Sequence, residues 1–163
     1  MRKLRIYLDT SVISHLDQPE KPSEQASSAI LFEAIHSGAF EVFLSDVVLQ
    51  EINQCSPTKR ETLLTFISQI DYINLAITPA VSSLAELIIT RQVLPPSSIA
   101  DSQQIAAAIL AGCDYIVSWN MKHIANVEVN KGIRHITIDE GYKEIMLVPP
   151  PMLPERSEVN DGE

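Results

Sequence analysis

Tyr115-Ile116-Val117-Ser118-Trp119, followed by Asn120, is apolar at every position but Ser118. A strand with one wet face alternates apolar and polar residues. A run without alternation is covered on both faces, as parallel strands are when helices pack above and below them. Upstream, from about Ile99 to Ala111, apolar residues fall at helical spacing, and Gly112 stands just past the last turn. Pro95-Pro96-Ser97-Ser98 breaks the chain before that helix. The local unit is therefore helix then buried strand.

The same alternation extends toward the N-terminus. Leu4 to Leu8 reads as a short strand ending at Asp9. Ser23 is placed to cap a helix with the stripe Ile30, Leu31, Ala34 and Ile35, closed by Gly38. Phe40 to Leu44 is the next strand, and Asp46 is placed to cap a short helix bearing Val48, Leu49, Glu51 and Ile52. Ser56-Pro57 opens a helix with Leu63, Leu64, Ile67 and Ile70 on one side. Tyr72 to Ile77 is a third strand, and Thr78-Pro79 opens a helix with Val81, Leu84, Ala85 and Ile88 inward. After Asn120, Ile136-Thr137-Ile138 fits either a strand or a helix from about Val127 to Tyr142. Ile145 to Val148 looks like a last strand. Strands alternating with helices imply an α/β fold, a three-layer α/β/α sandwich around a central, mainly parallel sheet. The expected organisation is one domain over residues 1–148 and a flexible, Pro-rich acidic tail over 149–163.

Length and composition agree with this. A chain of 163 residues suits one compact domain with its own core. No apolar run reaches the roughly 20 residues that span a bilayer, and the basic start Met1 to Arg5 lacks the apolar stretch of a signal peptide. Cys55 and Cys113 lie far apart with no Cys or His at metal-ligand spacing, which fits reduced thiols in a cytoplasmic protein. The net charge of −9 argues against a broad nucleic-acid-binding surface. It leaves room for an enzyme that grips a few phosphates through metal ions, or for a basic partner.

On sheets of this kind ligands bind beyond the carboxyl ends of the strands, near the switch in strand order. Asp9 ends the first strand; its plain reading is a helix N-cap, its functional one a ligand-facing carboxylate. Glu51 lies at the border between the buried stripe of its helix and solvent. Asp101 is in line with Ile105, Ala108 and Gly112 and so faces the sheet, where an ionised carboxylate is costly unless paired. The plain reading of Asp101 is a capping box with Ser98. Asn120 ends the buried strand, as a turn residue or as a polar group in the same crevice. Lys122 and His123 follow it, solvated or close to substrate. Lys59, Arg60 and Arg91 are further candidates for phosphate contact. Such a set of oxygen ligands suits Mg²⁺ or Mn²⁺ rather than zinc, and such ions activate water against a phosphodiester.

These residues resemble a known family. Tyr7-Leu8-Asp9-Thr10-Ser11-Val12-Ile13-Ser14 is similar to the opening motif of PIN domains, the nucleases that include VapC-type toxins. Val48-Leu49-Gln50-Glu51-Ile52 resembles their second acidic motif, and Asp101-Ser102-Gln103-Gln104-Ile105-Ala106-Ala107-Ala108 their third. The stretch from Asp114 to Ile124, with Trp119-Asn120-Met121-Lys122-His123, resembles the fourth. The resemblance covers about residues 4 to 150. It implies a metal-dependent endoribonuclease, the toxin of a toxin–antitoxin pair, with Asp9, Glu51 and Asp101 as ligands of Mg²⁺ or Mn²⁺. It implies an RNA substrate, an antitoxin partner, a homodimer, and helix rather than strand before Gly141-Tyr142-Lys143. Asn120 joins the catalytic set as a neutral group where many members carry a carboxylate, and Ser11, Lys122 and His123 would meet substrate. The acidity and Asn120 also fit an alternative: a catalytically weak or inactive PIN-fold module that binds a protein partner or RNA. A nucleotide-binding or phospho-receiver domain would want a Gly-rich phosphate loop or adjacent acids after the first strand, and the sequence has neither.

Overall fold

The computed structural model describes residues 2–154 and the backbone of Glu158–Val159. Five parallel strands form the central sheet: β2 (Arg5–Leu8), β3 (Glu41–Ser45), β4 (Ile73–Leu75), β5 (Tyr115–Val117) and β6 (Met146–Val148), in the order β4-β3-β2-β5-β6. A separate antiparallel pair joins β1 (Arg2–Lys3) to β7 (Glu158–Val159). The helices are α1 (Thr10–Ser14), α2 (Pro22–His36), α3 (Asp46–Asn53), α4 (Pro57–Ser68), α5 (Pro79–Thr90), α6 (Ile99–Leu110) and α7 (Val127–Glu140). Ile6, Tyr7 and Leu8 are all fully buried, and successive strand residues point to opposite faces. Both faces of the sheet are therefore covered, as the unalternating run at 115–119 implied.

From β2 the chain steps outward to β3 and β4, then returns across the sheet to β5. The switch in direction falls between β2 and β5, which pair as Ile6↔Tyr115 through Leu8↔Val117. Beyond their carboxyl ends stand Asp9 and Ser118, and the Asp9 N–H donates to Val117 O at 3.0 Å. The opposite end of the same two strands is pinned by Asp114. Its carboxylate accepts two bonds from the Arg2 guanidinium and one from the Arg5 N–H, and pairs with Lys143. Burial would raise this carboxyl, but those donors outweigh it and hold it at about 2.

Several local expectations shift. Helix α3 is capped by Ser45, whose Oγ accepts from the Val47 N–H, and Asp46 is its first residue. Helix α2 starts at Pro22 without a side-chain cap, so Ser23 lies inside it, and its buried face is Ser28, Leu31, Phe32 and Ile35. Ile30 is 70% exposed, because the face that packs inward sits a half-turn away. It borders an apolar groove of about 500 Å³ with Leu31, Ala34, Phe40 and Pro150. Residues 150–154, assigned to the tail from sequence, are ordered: Pro150–Met152 form a 3-10 turn, and Leu153 packs into the core at 9% exposure. Residues 155–157 and 160–163 of the expected tail lie outside the described residues. The segment 127–140 is a helix, ended by Gly141 at φ +75, a left-handed conformation that glycine adopts without strain.

At one margin of the sheet, Asn130 of α7 lies against β6. Its Nδ2 donates to Leu147 O and its Oδ1 accepts from the Leu147 N–H, both at 2.8 Å. At the other margin β4 leaves Ile73 46% exposed. Both cysteines are free thiols, and burial pushes Cys113 up to about 12. No helix among the described residues is long and apolar enough to cross a membrane.

Candidate active site

Asp9 is the N-cap of α1 and is only 5% exposed. One of its oxygens, Oδ2, takes every donor: Ser11 Oγ at 2.6 Å, Ser118 Oγ at 2.8 Å and the Ser11 N–H at 3.3 Å. Oδ1 receives no hydrogen bond from the described residues. The plain reading of Asp9 as a cap is thus correct, and it coexists with a free oxygen. Ser11 and Ser118 are fixed in turn, since Ser11 Oγ accepts from Trp119 N at 2.9 Å and Ser118 Oγ from Asn120 N at 2.9 Å.

Glu51 follows the same pattern. Its Oε1 accepts from Thr10 Oγ1 at 2.8 Å and from Gln104 Nε2 at 3.3 Å, while Oε2 receives no hydrogen bond from the described residues. Burial raises its proton affinity, the Thr10 hydroxyl opposes that, and the charges of Asp9 and Asp101 raise it further.

Asp101 lies in the first turn of α6, beside the fully buried face of Ser102, Ile105 and Ala108. The capping box with Ser98 does not form: Ser98 makes no side-chain cap bond. No hydrogen bond or ion pair among the described residues engages the Asp101 carboxylate. Burial first, and then the charge of Asp9, push it up to about 6. A half-buried carboxylate without a partner is unfavourable, and structures retain few of them without cause. The dipole of α6 offsets part of the cost.

Asn120 makes no hydrogen bond to these carboxylates among the described residues. Its Oδ1 accepts from the His123 N–H at 3.0 Å, and its carbonyl accepts from Ile124 and Ala125. It caps its own loop, the turn role expected of asparagine there. Lys122 is exposed and His123 half-buried on that loop. Of the other candidate cations, Lys59 donates to the carbonyls of Ser14 and Asp17, Arg60 to Cys55 O, and Arg91 pairs with Asp139 and Glu140. They are occupied in holding the fold.

Sequence reasoning missed Thr10, Gln104 and Ser118, the groups that orient the acids. A hydroxyl next to Asp9 and a lone polar residue in the apolar run 115–119 were the available signals. Nothing local marked Gln104, because its partners lie on other elements.

The donor set fits a hard dication: carboxylate oxygens, with one oxygen of Asp9 and Glu51 and both of Asp101 left uncommitted. Asp9 and Asp101 lie near enough to Glu51 to raise its proton affinity, and Asp9 near enough to Asp101 to do the same there. Among the described residues, no three acidic, His or Cys side chains already stand as a chelating group.

No protein-family model matches this chain, and no curated protein matches it. Solved structures do. The chain is similar to VapBC2 from Rickettsia felis, solved bound to a DNA fragment from its promoter, with TM-score 0.55 and 13% identity over 90% of this chain and 98% of that one. It is also similar to VapC20 of Mycobacterium tuberculosis, described as a sarcin-ricin loop cleaving toxin, with TM-score 0.54 and 16% identity over 68% of this chain and 86% of that one. The fold is the PIN-type fold of VapC toxins.

Proposed function

We propose that this chain is a metal-dependent endoribonuclease, the toxin of a toxin–antitoxin pair acting in the cytoplasm. The observation that carries the reading is Asp101, a half-buried carboxylate in the first turn of α6 with no hydrogen-bond or ion-pair partner among the described residues, near two other acids. An uncompensated cluster of negative charge is what a cation site looks like before the cation binds. The fold shared with two VapC structures, one described as a sarcin-ricin loop cleaving toxin, supports RNA as substrate and a protein antitoxin as partner.

In this reading Asp9, Glu51 and Asp101 would hold Mg²⁺ or Mn²⁺. When bound, the ion supplies Lewis acidity toward a phosphoryl oxygen and lowers the pKa of water. The protein's own share is orientation. Ser11 and Ser118 fix the Asp9 carboxylate, and Thr10 fixes Glu51. In the same reading Lys122 and His123, on the loop that Asn120 caps, would meet substrate phosphates. Ser11 is committed to Asp9 and would act on substrate only through it. Self-association into a homodimer belongs to the same reading.

The test is RNA cleavage by the purified chain in Mg²⁺ or Mn²⁺. Cleavage should stop with chelator and in Asp9→Asn and Asp101→Asn variants whose circular dichroism is unchanged. Full cleavage by both variants would overturn the reading.

A second reading, a non-catalytic module on the same fold, is favoured by one observation. Asn120 brings no charge and spends its amide oxygen on its own loop, so the fourth position adds no ligand. Absence of Mn²⁺ binding at millimolar metal, measured by calorimetry, would select it.

A further inference from the structure

A line of buried polar groups runs from the sheet to Glu51, and chemistry fixes its direction. An ionised carboxylate oxygen only accepts, so Glu51 Oε1 must receive a proton from Gln104 Nε2, 3.3 Å away. The amide of Gln104 then has its oxygen on the opposite side, where it accepts from the Tyr7 hydroxyl at 3.0 Å. Tyr7 has one proton to give, so its oxygen accepts from Ser45 Oγ at 2.7 Å. Ser45 Oγ accepts in turn from the Val47 N–H at 3.3 Å. Reversing the amide would set its oxygen against the carboxylate. The line therefore has one stable polarity.

Packing alone does not require it. Ser45 and Tyr7 are 0% exposed and Gln104 is 1% exposed, and buried polar groups are unfavourable unless bonded. Apolar residues of the same volume would fill this space at no such cost. The line spans β2, β3 and α6, and it meets α3 twice. Ser45 caps the start of α3, and Gln104 holds the side chain of Glu51 two turns later. It thus sets both where the helix begins and where its carboxylate points.

We propose that Gln104 is a positioning residue for Glu51, held in a single orientation by Tyr7 and Ser45, so that Oε1 is fixed and Oε2 would be left for a metal ion. This rests on the reading of Glu51 as a ligand.

Two measurements on the full chain test it. In the metal-free protein, the side-chain amide NMR signal of Gln104 is assigned as the one lost in Gln104→Met. It should move in both Tyr7→Phe and Glu51→Gln, and stay still in Glu61→Gln, an exposed control on α4. By calorimetry, Gln104→Met and Tyr7→Phe should each weaken Mn²⁺ binding, Gln104→Met by about 10-fold, as removal of a group that orients a ligand does. The double variant should be no weaker than Gln104→Met alone, because Tyr7 acts only through Gln104. An amide signal indifferent to Tyr7→Phe overturns the proposal. So do variants that lose thermal stability while binding Mn²⁺ as the parent does. A parent that binds no Mn²⁺ sinks the metal reading itself, and the proposal with it.

Discussion

Ser118 Oγ donates to Asp9 Oδ2 across 2.8 Å, closing the carboxyl ends of β5 and β2 over a sequence gap of 109 residues. Ser118 is fully buried, and its oxygen also accepts the Asn120 N–H, so it couples the acid to the loop. Ser118→Ala removes a hydrogen bond to a buried charge and leaves the Asn120 N–H without its acceptor. The expected cost is about 2 kcal/mol. Ser11 is half-buried and water can reach its place, so Ser11→Ala should cost less. Thermal unfolding of the two variants checks the order, and the reverse order would contradict it.

Asp101 gives a pH signature. Burial and Asp9 push its carboxyl up from 3.8 to about 6, so the folded chain binds this proton more tightly than the unfolded chain. Its contribution to stability is complete below about pH 4 and is lost as pH rises through 6. The loss at pH 8 is about 1 to 2 kcal/mol after allowance for solvent screening. Asp101→Asn should match the parent at pH 4 and melt higher at pH 8 in metal-free buffer. Mn²⁺ should raise the melting temperature of the parent and leave the variant unmoved. A variant less stable than the parent at pH 8 would refute the account.

Asn120 separates loop structure from metal binding. Asn120→Ala strips the His123 N–H of its acceptor and should cost about 1 kcal/mol. Asn120→Asp keeps an acceptor there and should retain parental stability. Calorimetry should show Mn²⁺ affinity in Asn120→Ala within about twofold of the parent. A large loss would mean that the amide reaches the ion.

Gly132, inside α7, sets two effects of opposite sign against each other. Alanine there would gain about 1 kcal/mol of helix propensity. Its Cβ would also stand 2.7 Å from Val93 Cγ2 and 3.0 Å from Cγ1, too close for either to remain. Val93 is β-branched and follows Gln92, held at φ +61, so it has little freedom to yield. Gly132→Ala should therefore lower the melting temperature, and Val93→Ala should restore it. A stabilised single variant would show that the contact relaxes freely.

The layers were legible because burial leaves its period in the sequence. The stripe Val81, Leu84, Ala85 and Ile88 is buried as read, and the unalternating run 115–119 gave the two-sided sheet. Asp9 and Asp101 stood out through their places at a strand end and on an inward helix face. Helix starts were less clear, since Ser45 and Asp46 are both good caps and only the backbone decides between them. The face of α2 was misjudged at Ile30, because its run of small and apolar residues has no sharp stripe. Gln104 was illegible, since its role lies in partners 53 and 97 positions away. Asn120 was ambiguous because a turn cap and a site residue occupy the same sequence position.

Asn130 offers Leu147 a donor and an acceptor at the distances of a neighbouring strand, so β6 meets a side chain where another chain would dock. The asymmetry with β4 gives the sheet a direction of growth. Intermolecular strand pairing onto this sheet, whether in assembly or in aggregation, is expected from the Ile73 side. A single amide on a helix has made one margin of this sheet blind to its own kind.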